Sequence, residues 1–86
     1  MRFTIEQRHL TDPAGRPVAA TSAQSFHACE AQNAEEAVRL FVQDGDGEVI
    51  GDILKFPGFQ AVATMRKASG VYTLQVGPAS QQVVLK

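Results

Sequence analysis

Between Gln32 and Gly47 the chain spells out one helix: its start, its buried face and its stop. Asn33 is a good N-cap, and Glu36 three residues on completes a capping box. Ala34, Ala37, Val38, Phe41 and Val42 fall on one stripe at helical spacing, while Glu35, Glu36, Arg39 and Gln43 fall outside it. Gly45 or Gly47 is expected to take the left-handed conformation that ends the helix. One apolar stripe cannot bury itself, so this helix needs a sheet to lie on.

The rest of the chain supplies that sheet. Arg2 to Leu10 reads as a strand with Phe3 and Ile5 on one face. Asp12-Pro13-Ala14-Gly15 fits a type I turn, with Asp first, Pro second to fix φ, and Gly fourth. The alternation resumes from Ser25 to Ala31, with Phe26 and Ala28 expected inward, and feeds the Asn33 cap. After the helix, Glu48 to Phe56 is a strand whose apolar phase shifts near Gly51, where a bulge is expected. Pro57-Gly58 turns the chain through a loop wider than two residues into Phe59 to Lys67. Ala68-Ser69-Gly70 turns it again into Val71 to Val76, with Tyr72, Leu74 and Val76 on one face. Gly77-Pro78-Ala79-Ser80 reads as a break before a short terminal strand, Gln81 to Lys86. The order β-β-α-β-β-β predicts an α+β fold, a mainly antiparallel sheet with one helix on one face. A β-grasp-like mixed sheet opens in the same order and is the alternative.

At 86 residues the chain is read as one domain, 1–86, that buries only about 60–65% of its unfolded surface. It has five Phe and one Tyr but no Trp, which leaves a thin core. Domains this lean often borrow apolar surface from a second subunit. The single Cys29 excludes an intrachain disulfide. Met1 to Glu6 alternates polar and apolar residues, unlike the unbroken apolar run of a signal peptide, and no stretch approaches the ~18 apolar residues of a membrane span. The expectation is a soluble, cytoplasmic protein.

A net charge of −1, with cations scattered from Arg2 to Lys86, gives no stripe that could neutralise phosphates. Arg66 and Lys67 form the one adjacent pair, a basic hairpin tip that would carry the alternative of weak nucleic-acid binding with the open sheet face.

No motif carries catalysis. Asp44, Asp46 and Glu48 resemble the start of a calcium loop, but position 6 is then Val49 and position 12 is Lys55, so the ion loses its required ligands. His27 and Cys29 share a strand face about 7 Å apart, but Glu30 beside the thiol raises its pKa, and with His9 the set matches no zinc spacing. Gly45, Gly47 and Gly51 follow the helix, whereas phosphate-cradling glycines precede one.

Two apolar features remain. Phe56 and Phe59 flank a turn, either as an adhesive tip or folded back over the end of the core. Val83, Val84 and Leu85 lie in a β-prone tail that needs a docking place on an edge of its own sheet or on a second subunit. The sequence therefore points to a small non-enzymatic interaction module without metal or cofactor, most simply a homodimer, with a protein partner as a further option. A ligand site or enzyme completed only at a subunit interface is the third reading.

Overall fold

A computed structural model of the chain describes residues 1–18 and 24–79. The expected terminal strand with Val83, Val84 and Leu85, and most of the stretch before the second strand, lie outside the described residues. Five strands and one helix follow in the order β1 (Arg2–Thr11), β2 (Gln24–Glu30), α1 (Ala34–Asp44), β3 (Glu48–Phe56), β4 (Gln60–Lys67) and β5 (Gly70–Pro78). They make one sheet, β2-β1-β5-β4-β3, in which every neighbouring pair is antiparallel.

Strand parity excludes the mixed alternative. The helical crossover carries the chain from β2 at one edge to β3 at the other, and the two run the same way. Two hairpins then walk back to the centre. Three strands after the crossover leave β5 antiparallel to β1; two would have left the last strand parallel to it.

The helix forms as its sequence dictates. Asn33 is the N-cap, and its Oδ1 accepts from the Glu36 N–H at 2.8 Å. Glu36 reaches back to the Gln32 N–H at 2.6 Å, one residue earlier than a standard capping box. The stop differs from expectation. Gly45 has φ −93, and Asp46 takes the left-handed conformation at φ 57. Gly47 N–H donates to Val42 O at 2.9 Å and Asp46 N–H to Gln43 O at 3.1 Å, the paired bonds of a Schellman motif. Gly47 instead packs closely under the Met65 and Lys67 side chains, where a Cβ would stand 3.0 Å from Met65 Cγ and those side chains would have to shift by a few tenths of an ångström.

α1 lays Ala34, Ala37, Val38 and Val42 onto Phe3 and Ile5 of β1, Ala61, Ala63 and Met65 of β4, and Tyr72, Leu74 and Val76 of β5. Small residues on both sides of this contact seat the helix close to the sheet. Val38 is the central knob, and burying a side chain of this kind stabilises the fold by roughly 1.5–3 kcal/mol. Phe41 belongs to the same stripe but is only half-buried, at the flank toward β2, where its ring lies 5.0 Å from that of His27.

The strand connections follow their turn chemistry. Gly15 N–H bonds Asp12 O at 2.9 Å, and the Asp12 side chain accepts from the N–H groups of Ala14 and Arg16. The β3–β4 loop is three residues, Pro57, Gly58 and Phe59, closed by the Phe56–Gln60 pair. The bulge falls at Gly51, whose φ is 74. It sets three residues of β3 against one of β4, two extra, so the phase does not shift: Val49 and Ile53 stay inward, Ile50 and Leu54 outward.

Two further expectations fail. Gly77 and Pro78 do not break the chain; they continue β5 opposite Thr4 and Phe3 of β1. Phe26 and Ala28 do not point inward. The register Phe3–Cys29 and Ile5–His27 turns the odd residues of β2 toward the helix and leaves Phe26 and Ala28 on the open face. The parity is fixed by Phe3 and Ile5 on one side and by buried Ala31 on the other, and the lone Phe26 yields to it.

Candidate interaction surface

On the helix side, the polar residues at the β1–β2 margin are engaged with one another. Cys29, partly buried, has its sulfur 4.0 Å from Ala37 O and 3.7 Å from Glu30 O. Burial pushes its thiol pKa up, and the negative charges of Glu30, Glu36 and Asp44 push it further. A nucleophilic cysteine needs the opposite environment. His27 Nε2 lies 3.0 Å from Ser25 Oγ, with its ring against Phe41. His9 sits at the far end of β1, where its ring stacks on Tyr72 at 4.2 Å and its Nε2 donates to Ser69 O at 3.0 Å. Among the described residues, no three His, Cys, Asp or Glu side chains are placed to share a metal ion.

The acidic turn is divided among structural tasks. Asp44 closes the helix, Asp46 supplies the left-handed residue, and Glu48 pairs with Arg66. Arg66 and Lys67 occupy successive strand positions and so point to opposite faces. Arg66 pairs with Glu48 on the open side, whereas Lys67 lies over the Tyr72 ring, 5.3 Å from its centroid. Both also line one shallow pocket together with the acidic Asp46 and Glu48.

Neither Phe56, which ends β3, nor Phe59 in the following loop folds over the core. Phe56 is 49% exposed and Phe59 56%, the latter held at φ 60 in a conformation that costs a non-glycine residue about 1–2 kcal/mol. With Asn33, Glu35 and Lys55 they line a cleft of about 330 Å³ between the hairpin and the start of α1. Lys55 bridges it to Glu35 at 3.0 Å, and Arg39 holds the same carboxylate at 2.9 Å. The hydrogen bonds from Arg39 and then Lys55 keep the Glu35 carboxyl below its ordinary range.

The face opposite α1 has no second layer among the described residues. Its centre is polar, with Thr4, Glu6 and Arg8 from β1 beside Thr73 and Gln75 from β5. Glu6 accepts from Arg8 at 2.8 Å and from Gln24 at 2.5 Å, and these two bonds hold its carboxyl low. The apolar residues sit at the margins. Ile50 and Leu54 lie on β3, with Leu54 directly opposite Val62 of β4 and 55% exposed. On β2 at the far edge, Phe26 is 62% exposed with Ala28 beside it.

The sequence singled out Phe56 and Phe59 but missed Phe26 and Leu54. In β2 both parities carry some apolar character, so alternation alone favoured the wrong face. The available signal was Ala31, which shares its parity with Cys29 and His27 and leads directly into the helix. Among the described residues no helix is long and apolar enough to cross a membrane. No protein-family model matches the chain, and neither a curated protein nor a solved structure matches it.

Proposed function

We propose that this chain is a small non-enzymatic interaction module that works by associating with a second copy of itself in the cytoplasm. The observation that supports the reading most is the set of large apolar side chains at the margins of the uncovered sheet face. Phe26 and Leu54 at those margins, with Phe56 and Phe59 at the end of the β3–β4 hairpin, stay about half or more exposed in a domain whose core holds few large residues. Isolated exposed apolar residues are ordinary, but four in a chain this short represent much of the apolar surface it has to bury. The unpaired Cys29 fits a reducing compartment. Light scattering at tens of micromolar tests the reading: a mass near twice 9.3 kDa is expected, and a monomer at every concentration refutes it.

A further inference from the structure

The two edges of the sheet are not equivalent. β3 is broken at its centre by the Gly51 bulge, a common protection of an exposed edge. β2 has no such device. Its seven residues pair with β1 in unbroken register from Gln24 to Glu30, and it contains no Pro, no Lys and no bulge. About half of its backbone N–H and C=O groups therefore face away from β1, and no described residue pairs with them.

Resting on the self-association reading, we infer that β2 pairs antiparallel with β2 of a second copy about a twofold axis at His27, joining the two sheets into one of ten strands. Full overlap of the seven residues places Phe26 opposite Ala28 of the second copy, and Ala28 opposite its Phe26. The small Ala gives each exposed ring a seat, and the two rings become diagonal neighbours within reach of one another. On the helix side Ser25 meets Cys29, and the two His27 side chains meet at the axis beside Phe41. The only acidic or basic residue of β2 apart from His27 is Glu30, which falls at the end of the ladder opposite neutral Gln24. Its charge is already balanced on its own chain by Arg2 at 3.4 Å and the Met1 amino group at 3.6 Å. No like-charged carboxylates oppose one another, so the strand is complementary to itself.

The test compares edge variants by light scattering and follows the amides of the unaltered full chain by hydrogen exchange. Phe26→Lys and Ala28→Lys, both at exposed positions, should each weaken the dimer at least tenfold, while Leu54→Lys on β3 leaves it unchanged. The outward-facing amides between Gln24 and Glu30, those not bonded to β1, should be protected at high concentration and lose protection on dilution, a readout that needs no variant to fold. A dimer that survives both β2 substitutions, or that is lost with Leu54→Lys while the outward-facing β2 amides exchange freely, overturns the β2 pairing and leaves self-association standing. A chain that is monomeric throughout overturns both.

Discussion

Gly70 is the position where one added carbon should do the most damage. It opens β5 at φ 131, a region that side chains other than hydrogen rarely enter. A Cβ there would stand 2.0 Å from Thr11 O and 2.7 Å from His9 Nε2. The carbonyl belongs to the end of β1, where the register with β5 slips between His9 and Thr11, so relief requires the strand to move. The same carbon displaces the ring that donates to Ser69 O and stacks on Tyr72. Strain at such a φ costs about 1–3 kcal/mol, and forcing an atom into filled space costs a similar ~1–3 kcal/mol. Gly70→Ala should therefore cost about 4 kcal/mol, a large share of the roughly 4–13 kcal/mol available to a domain of this length. Gly15→Ala is the internal control: φ is 84, but nothing stands within 4 Å of the new carbon. It should cost only the conformational strain, about 1–2 kcal/mol. At about 4–8 °C per kcal/mol, thermal unfolding by circular dichroism should separate the two variants by 10 °C or more. Equal melting temperatures would refute the claim that the contact with Thr11 makes Gly70 obligatory.

Asn33→Ala removes the acceptor for the Glu36 N–H and should cost about 1 kcal/mol, whereas Asn33→Asp, which keeps an acceptor, should stay close to the parent melting temperature. Cys29 should alkylate more slowly than an unfolded-chain thiol near pH 8, because burial and three nearby carboxylates hold it protonated. The sign for stability follows from that raised pKa. The contribution of Cys29 is fully present below the ordinary thiol range and is lost as pH rises through the folded value, so Cys29→Ser should flatten the alkaline arm of the stability profile. An unchanged alkaline arm in the variant would show that the thiol environment does not control it.

The elements that depend on neighbours in sequence were legible; those that depend on partners across the sheet were not. Asn33 and Glu36 marked the start of the helix because a cap is satisfied within four residues. Asp12 announced its turn for the same reason, since its side chain closes the turn it begins. The helix stop was placed but assigned to the wrong residue. Gly47 lies close under the Met65 side chain of β4, and the left-handed residue falls to Asp46, which tolerates it. Gly77 and Pro78 suggested a break by composition, yet a last-position Pro gives up a donor that a strand end can spare. The inward assignment of Phe26 failed because the face of β2 is decided by its register with β1, a relation between residues far apart in sequence, Phe26 pairing with Glu6.

The placement of apolar side chains on the open face decides which association the fold favours. One helix is about 10 Å wide, whereas five strands at about 4.8 Å spacing span more than twice that, so a single helix leaves the margins of its own side thinly covered and the other side bare. Two sheets docking face to face need apolar residues in the middle of the contact, with the polar rim outside. This face is arranged the other way round. Its centre holds Glu6 bonded to Arg8 and Gln24, flanked by Thr73 and Gln75, and face-to-face docking would strip water from that network. Edge pairing leaves the network in solvent and covers Phe26, the most exposed of the large side chains at the margin. It also satisfies backbone groups that otherwise depend on water. In the proposed pairing Phe26 is the central apolar contact of the joined sheet, at the strand whose edge no bulge protects.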